Sequence, residues 1–365
     1  MKHTADTNRG NILLSCAGRR AYLVSWFKEA LGPRGKVIAI DADASAPALQ
    51  EADLAFVVPT VRTPGYSDGL WDLCKAFDVG LIISLNDLEL QLLSEHKADW
   101  IAEGVYPVGA PPDRVRQCLD KVQTEVLARE AGVRYPPTFQ LLEEAITWFQ
   151  RRDRDSEEII VKARWGSASI GMGRASHVDE LQEAWRRGET LVSSSVVSYL
   201  REPGAPAGVV AQPVIRGAEF GLDLVHDLDG RPASYLGRRK LSMRAGETDK
   251  AISVEEPALV EAGRRLSTVL QHSGVADCDF IQSPEGWVLL DINPRFGGGY
   301  PFSHAAGANV PRAMVAWLHG DTVDPDWLQA EPGTVASKCD RIVVVESEGV
   351  QVRSNARLPD ALAGE

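Results

Sequence analysis

The sequence predicts an α/β domain built on a parallel sheet, followed by a longer part of mixed α+β structure. From Asn11 to about Pro107, short apolar runs alternate with amphipathic stretches, which is typical of parallel strands covered by helices. From about Leu191 onward, strand-like runs follow one another and a single long helical stretch interrupts them. That second pattern is typical of an α+β lobe.

Composition indicates a well-buried globular protein. The chain has 365 residues, of which 44% are hydrophobic and 25% charged, so we expect two or three domains. Its net charge of -12 argues against a nucleic-acid or anionic-membrane surface. Five scattered cysteines without CxxC pairs indicate reduced thiols and no zinc site. The N-terminus lacks an apolar signal core, and no run approaches the ~20 apolar residues that cross a bilayer. We therefore expect a soluble, cytoplasmic protein.

The first domain, residues 1–110, alternates strands and helices. The predicted strands are "NILLS", "KVIAIDAD" and "VGLIISL", and the predicted helices are "RRAYLVSWFKEAL", "YSDGLWDLCKAF" and "DLELQLLSEHKADWIAEG". Gly104 ends the last helix. This βαβαβ order predicts a parallel sheet with helices on its faces.

Two further units are expected, over residues 111–190 and 191–365. In the first, Pro111 and Pro112 precede a long amphipathic helix that runs to Gly132, with Asp113 as its cap. A strand, glycine loop and strand follow in "EIIVKARWGSASIGMGR", and then a charged helix around "VDELQEAWRRG". In the second, strands are expected in "GVVAQPVI", "AEFGLDLVHD", "RPASYLGRRKL" and "WVLLDIN", a helix in "PALVEAGRRLSTVLQHSG", and a closing strand pair in "KCDRIVVVESEGVQV" with its turn at Glu348 and Gly349.

The glycine loop is the first candidate site. Small residues separate its two apolar strands, and Lys162 lies just upstream. The loop residues include Gly166, Ser167, Ser169, Gly171 and Gly173. Few side chains intervene there, so backbone N–H groups can approach phosphate oxygens closely. An ordinary glycine hairpin remains the alternative, because the GxxxxGK[ST] phosphate loop is absent.

A second candidate lies in "QPVIRGAEF", where Gln212 and Glu219 stand seven residues apart at a strand–turn–strand junction. Val214 and Ile215 between them suit packing against a flat base, while Glu219 is placed to reach ribose hydroxyls. An exposed turn with a solvated glutamate is the competing interpretation.

The third candidate is a cluster of oxygen ligands. Asp279 stands near the end of one strand, and Asp291 and Asn293 end the next, with a turn signal at 283–286 between them. On paired strands these side chains share one sheet face. Two carboxylates and an amide oxygen suit Mg²⁺, which binds carboxylates together with phosphate and water. The alternative is that Arg295 alone neutralises one acid.

The motifs occur in an order that resembles the ATP-grasp ligases, most closely the carbamoyl-phosphate-synthase-like single-module carboxylate–amine ligases. They are a lysine at a helix start, a lysine with a glycine loop, Q-x-x-x-x-G-x-E, an acid in a D-F strand, and "DINPR". The resemblance covers nearly the whole chain. It implies an ATP-grasp fold with a Rossmann-like N-terminal domain, a small lobe with a glycine-rich lid, and a C-terminal lobe that carries the metal site.

The resemblance also implies roles for matching residues. Lys121 and Lys162 contact ATP phosphates under the loop from Gly166 to Gly173, which includes Gly171. The adenine hinge is formed by Gln212, Pro213, Val214 and Ile215, and Glu219 binds ribose. Mg²⁺, for which Mn²⁺ is a substitute, is held by Asp279, Asp291 and Asn293. Arg295 clamps the transferred phosphoryl group, and Arg244 lies beside it. Two positions depart from the pattern. Asp291 stands where most relatives carry Glu, and "VKAR" lacks the usual proline. The number of metal ions, one or two, therefore stays open.

Further side chains are candidates for substrate binding. They are Arg19, Arg20, Asn86 and Glu89 in the N-terminal domain and Arg238, Lys240 and Glu247 in the C-terminal lobe. Arg238 and Lys240 alternate along a strand and so share a face. Solvated arginines in a first helical turn, and a charged surface strand, are the competing interpretations.

The expected function is an ATP- and Mg²⁺-dependent ligase that joins a small carboxylic acid to an amine through an acyl phosphate. An amino acid or related acid is the expected substrate class, and relatives commonly form homodimers. A non-catalytic nucleotide sensor of the same fold is one alternative. A nicotinamide dehydrogenase is another, although only Gly18 follows the first strand where GxGxxG is required.

Overall fold

A computed structural model describes residues 9–151, 157–166 and 171–345. The N-terminal domain contains β1 (Asn11–Ser15), α1 (Ala21–Leu31), β2 (Val37–Asp41), α2 (Pro47–Glu51), β3 (Leu54–Val57), α3 (Tyr66–Ala76), β4 (Val79–Ser84), α4 (Asp87–Glu95), α5 (Lys97–Ala102) and β5 (Tyr106–Pro107). The strands form a parallel sheet in the order β3-β2-β1-β4-β5. Its central strands are buried on both faces, which explains their unbroken apolar sequence.

The second unit contains α6 (Pro112–Leu119), α7 (Lys121–Glu130), α8 (Leu142–Arg151), β6 (Ile159–Ala163), β7 (Gly173–Ala175), α9 (Val178–Ser193) and β8 (Val209–Pro213). β7, β6 and β8 form a three-stranded antiparallel sheet, in that order. The apolar faces of α8 and α9 pack on this sheet, around Phe149 and Trp185. The glycine loop between β6 and β7 is therefore the connection of an antiparallel strand pair.

The C-terminal lobe contains β9 (Ala218–His226), β10 (Pro232–Arg244), β11 (Glu247–Val254), α10 (Pro257–Leu270), β12 (Gly274–Ser283), β13 (Gly286–Asn293), α11 (Tyr300–Ala305), α12 (Val310–His319) and β14 (Val335–Ser337). Its strands form one sheet in the order β13-β12-β9-β10-β11-β14. Short 3-10 helices lie at Gly32–Arg34, Val196–Leu200 and Pro325–Leu328. α10 buries its apolar face against this sheet.

Four of the sequence-based predictions need correction. The predicted helix up to Gly132 is two helices, because Asp120 leaves helical geometry and its side chain caps α7. Asp113 lies inside the first turn of α6 and is not its cap. The helix predicted up to Gly104 is likewise divided at His96. The unit boundary at residue 190 is wrong, since β8 completes the sheet of the second unit.

The predicted C-terminal strand pair is not found where the structure describes it. β14 ends at Ser337, and residues 338–345 form no strand. The turn predicted at Glu348 and Gly349 lies outside the described residues.

Candidate active site

A cleft of about 630 Å³ lies where the N-terminal domain, the second unit and the C-terminal lobe meet. It brings together most of the predicted site residues. They are Arg19, Arg20, Lys121, Lys162, Gly166, Glu219, Arg238, Lys240, Glu247, Asp279, Asp291, Asn293 and Arg295. Residues far apart in the chain therefore form one polar site, within the size range of small-molecule pockets.

The oxygen ligands lie on the β12–β13 hairpin, with the predicted geometry. Asp279 is directly opposite Asp291, and Asp277 is opposite Asn293 in the same register. Lys240 Nζ lies 2.6 Å from Asp279 Oδ1. Burial raises the pKa of the Asp279 carboxyl, and the neighbouring Lys240 opposes that rise. The arrangement concentrates hard oxygen donors beside cationic side chains.

This donor set fits Mg²⁺. Two carboxylates and an amide oxygen on one sheet face are the protein ligands that Mg²⁺ takes together with phosphate and water oxygens. Within the described residues, no three His, Cys, Asp or Glu side chains form a metal-binding group on their own. Asp279, Asp291 and Asn293 stay the proposed ligands.

Two lysines approach the cleft from different elements. Lys121 begins α7 directly after the cap residue Asp120, and its Nζ donates to the carbonyl of Gly166 at 2.7 Å. Asp120 is itself held by Arg164 at 2.7 Å. Lys162 lies on β6, and burial together with the nearby Lys121 lowers its pKa to about 7. Two cations held close together, where water is limited, suit an anionic ligand such as a phosphate chain.

Arg295 connects the metal-ligand strand to the N-terminal domain. Its Nε lies 2.6 Å from Asp87 Oδ1, and its Nη2 donates to Asn293 Oδ1 at 3.3 Å. Burial lowers the pKa of the Arg295 guanidinium, but Asp87 more than offsets that effect, so the pKa is raised overall. The sequence reading missed Asp87, although it directly follows the candidate Asn86.

Arg238 does not have the substrate-binding role that was predicted for it. It is buried, its Nη1 lies 2.7 Å from Asp223 Oδ2, and its Nη2 donates to Asp277 Oδ1. A Cβ on Gly299 would lie 2.2 Å from the Arg238 side chain, so the guanidinium is tightly enclosed. Both terminal nitrogens of the guanidinium are therefore paired inside the protein, and Arg238 has a structural role next to the site.

The adenine-hinge residues lie outside the lining of the described part of the cleft, whereas Glu219 lies within it. Gln212 Nε2 donates to Thr138 Oγ1 at 2.8 Å, and the Val214 amide donates to the Glu158 carbonyl at 2.9 Å. Pro213 ends β8 and Ile215 follows in the connection to β9. Their predicted contact with a base stays a prediction.

The glycine loop divides into two parts. Gly166 lines the cleft, whereas Gly171 packs against α9, where a Cβ would lie 3.2 Å from the carbonyl oxygen of Gly188. Both glycines have positive φ angles, of 71° and 67°, which favour glycine over other residues. Ser167 and Ser169 lie outside the described residues.

Three other predicted site residues have different roles. Glu89 is fully buried and accepts hydrogen bonds from Ser15 Oγ at 2.5 Å, Tyr66 OH at 2.6 Å and Ser84 Oγ at 2.5 Å. Its carboxylate is thus satisfied inside the N-terminal domain and does not reach a substrate. Asn86 caps α4 by accepting from the Leu88 amide. Arg244 lies in a neighbouring cavity and pairs with Asp249 and Asp340, both at 2.8 Å.

Comparisons with known proteins agree with this architecture. The family model described as "PylC-like, N-terminal domain" matches residues 12–108. The family model described as "ATP-grasp in the biosynthetic pathway with Ter operon" matches residues 206–341. The matched ranges are the parallel-sheet domain and the lobe that carries the β12–β13 hairpin.

Relatives and solved structures extend the likeness. The chain is 22% identical over 231 residues to the propionyl-CoA carboxylase alpha chain of Ruegeria pomeroyi, covering 60% of this chain and 33% of that one. It thus spans about a third of that relative's length. A biotin carboxylase domain dimer of the Hydrogenobacter thermophilus 2-oxoglutarate carboxylase, in complex with MgADP, ADP and bicarbonate, superposes with a TM-score of 0.67 at 15% identity, covering 86% of this chain and 70% of that chain. The N5-carboxyaminoimidazole synthetase of Staphylococcus aureus superposes with a TM-score of 0.62 at 14% identity, covering 87% of this chain and 78% of that chain.

Residues 12–108 are therefore similar to the PylC-like N-terminal domain, residues 206–341 are similar to an ATP-grasp domain, and the chain shares the fold of these solved structures. The predicted fold, a parallel-sheet domain followed by the antiparallel sheets of an ATP-grasp module, is confirmed. In the part of the chain that the structure describes, no helix is long and apolar enough to cross a membrane.

Proposed function

We propose that this protein is an ATP- and Mg²⁺-dependent carboxylate–amine ligase that forms an amide bond through an acyl phosphate and releases ADP. The observation that carries the proposal is the opposed pair Asp279 and Asp291 in a cleft that also contains Lys121 and Lys162. Carboxylates on one wall and lysines on another match a nucleotide phosphate chain bound with a divalent cation.

The chemistry follows from the poor electrophilicity of a carboxylate. A carboxylate oxygen attacks the γ-phosphorus of ATP, the bond to the bridging oxygen breaks, and ADP leaves with that oxygen. The acyl phosphate then accepts the lone pair of an amine at its carbonyl carbon. Inorganic phosphate leaves, and the amine loses a proton. Mg²⁺, when bound, neutralises charge on the phosphates, and the protein positions the reactants.

Each role belongs to a side chain that lines the cleft. Lys121 and Lys162 bind phosphate oxygens, because each brings an ammonium group to the cleft and burial strengthens the attraction to an anion. Asp279, Asp291 and Asn293 hold the metal, and Glu219 binds the ribose. Arg295 faces the transferred phosphoryl group, oriented by Asp87.

Mutation of cleft residues tests the proposal. We expect Lys162→Ala and Asp291→Asn each to abolish ADP formation in the presence of MgATP, an acid mixture and an amine mixture, while leaving the fold intact by circular dichroism. Lys36→Ala and Asp68→Asn change exposed residues of the same types and should leave ADP formation unchanged. Substantial activity in both cleft variants would refute the site assignment.

A nucleotide sensor of the same fold would give a different result. It would bind MgATP, lose that binding in Lys162→Ala, and release no ADP with any acid and amine.

Homodimer formation is a separate expectation, supported by the dimeric biotin carboxylase domain among the similar structures. The mass of the protein in solution measures it directly.

A further inference from the structure

A second cavity, of about 780 Å³, lies next to the ATP cleft and has no role in the function proposed so far. It lies between the β1–α1 turn of the N-terminal domain, the β10–β11 hairpin of the C-terminal lobe, and residues 338–343. Five residues line both cavities: Arg19, Arg20, Ala245, Glu247 and Thr248. The second cavity therefore shares one wall with the ATP cleft.

Ion pairs within the wall offset most of the negative charge of this cavity. Arg244 pairs with Asp249 and Asp340 at 2.8 Å, and Lys338 pairs with Glu247 at 3.0 Å. Each of the three acidic residues that line the cavity is therefore paired, but the two cations leave one of the three negative charges unbalanced.

The shared wall keeps a surplus of positive charge. Arg341 pairs with Glu51, outside the lining, at 3.3 Å. Across the described parts of the chain, neither Arg19 nor Arg20 forms a salt bridge; Arg20 Nη1 donates to the Phe296 carbonyl at 3.3 Å. Two guanidinium groups at the wall nearest the ATP cleft favour an anionic group on the ligand.

The remaining lining is apolar and aromatic. Tyr22 and Trp26 form one side, with ring centroids 5.0 Å apart, and Trp26 is stacked on His304 at 3.7 Å. Pro47, Leu85, Pro301 and Val343 complete the apolar surface. Aromatic side chains held by ring contacts give a rigid apolar surface, which suits an aromatic or apolar body.

We propose that this cavity binds the acyl substrate, and that this substrate is a carboxylic acid with an aromatic or bulky apolar body. The inference rests on the ligase function proposed above. Arg19 and Arg20 hold the carboxylate at the shared wall, where it meets the γ-phosphorus. The body of the acid packs against Tyr22 and Trp26. Glu247, which lines both cavities, is placed to hold the incoming amine.

Calorimetric titration of four small probes tests the substrate class on the full chain. Phenylacetate carries both features, acetate lacks the body, glutarate has a polar body, and phenylacetamide lacks the charge. We expect phenylacetate to bind about tenfold or more tightly than each of the other three, because burial of a ring and pairing of a carboxylate each contribute. Tightest binding by glutarate or acetate, or no measurable binding of any probe, would overturn the proposal.

Variants assign the binding to this cavity. Arg19→Gln should weaken phenylacetate binding about tenfold while leaving the weak phenylacetamide binding unchanged. Trp26→Leu should weaken the binding of phenylacetate and leave the binding of acetate unchanged. If Trp26→Leu unfolds, Val343→Asp supplies the test, because it places a like charge in the cavity from a segment without regular structure. The matched controls are Arg264→Gln on the exposed face of α10 and Trp327→Leu. Equal phenylacetate affinity in Arg19→Gln and Val343→Asp would contradict the assignment.

The failure of the ligase proposal gives a distinct result. Saturable phenylacetate binding that Arg19→Gln weakens, without ADP release from MgATP in the presence of amines, supports the acid site and contradicts the ligase. ADP release with polar acids alone supports the ligase and contradicts the apolar substrate class.

Discussion

Asp277 and Asp279 lie two residues apart on β12 and face the same side of the sheet, yet their charges are balanced in different ways. Asp277 shares the buried guanidinium of Arg238 with Asp223, and its side chain is 9% exposed. Asp279 pairs with Lys240, faces Asp291 across the hairpin, and is 28% exposed. The first group is a closed ion cluster, and the second is open to the cleft.

The difference indicates that Asp277 has a structural role and that Asp279, on the same strand, takes part in the reaction. A buried charge that is already paired cannot exchange its partner for a ligand without a large desolvation cost. An opposed carboxylate pair at a cleft gains stability when a cation enters, because like charges repel each other. We therefore assign Arg238 to the framework and the Asp279–Asp291 pair to the reaction.

The largest effect is expected at the closed cluster. Arg238→Met removes the cation and leaves the carboxylates of Asp223 and Asp277 buried, so it should lower the free energy of unfolding by about 3–5 kcal/mol. Urea denaturation measures this loss. Adding Asp223→Asn and Asp277→Asn to Arg238→Met should recover much of it. A loss below about 1 kcal/mol in the single variant would contradict the framework role of Arg238.

A substitution in the Asp279–Asp291 pair should lower activity without lowering stability. Asp291→Asn should reduce ADP formation by about 100-fold or more, since even outer-shell changes at metal sites cost about 10–100-fold. Its free energy of unfolding should stay constant or rise, because the repulsion with Asp279 is removed. Loss of stability with retained ADP formation would contradict the assignment of Asp291 to the reaction.

A pH dependence of nucleotide affinity is expected next. Burial and Lys121 lower the pKa of Lys162 to about 7, so in the free protein its charge is lost as the pH rises above 7. Bound phosphates raise that pKa, and ATP binding then takes up a proton. The affinity for ATP should fall by up to about tenfold per pH unit above 7. Lys162→Arg should remove this dependence, and titration calorimetry between pH 6 and 9 measures it. An unchanged slope in the variant would contradict the role of Lys162.

The smallest effect is expected at the surface of the second cavity. Asp340→Asn removes one of the two acidic partners of Arg244 without touching the ATP cleft. Exposed ion pairs contribute little, so the KM for the acid should rise by about threefold or less, and the KM for ATP should not change. Initial-rate kinetics measure both constants. A larger change in the KM for ATP would show that the two cavities are not separate sites.

The sequence pattern predicted that Asp279 and Asp291 lie close together on paired strands. The turn at Ser283–Gly286 predicted a hairpin that brings Asp279 and Asp291 together, and the structure confirms that they lie opposite each other. The exact register also depends on an irregularity that the sequence does not show: Phe280 pairs with Leu289 and Asp279 pairs with Asp291, so the register shifts by one residue at Leu290.

The roles of other charged residues depend on distant partners, and the sequence could not show them. Arg238 is enclosed by Asp223 on β9 and Asp277 on β12. Glu89 is satisfied by hydroxyl groups from three separate elements. Nothing near either residue in the chain distinguishes a buried charge from one that faces a ligand. Asp120 is different: it is an ordinary helix-cap residue, and that signal could have located the break before Lys121.

The central claim is that a carboxylate oxygen attacks the γ-phosphorus in this cleft. Phenylacetate labelled with heavy oxygen in both carboxylate positions, incubated with MgATP and an amine mixture, tests it directly. The account predicts that mass spectrometry finds one heavy oxygen in the inorganic phosphate and the other in the amide product. ADP release with unlabelled phosphate would mean that water, not the carboxylate, attacks ATP, and label in AMP would mean an acyl adenylate; either result would contradict the acyl-phosphate ligase.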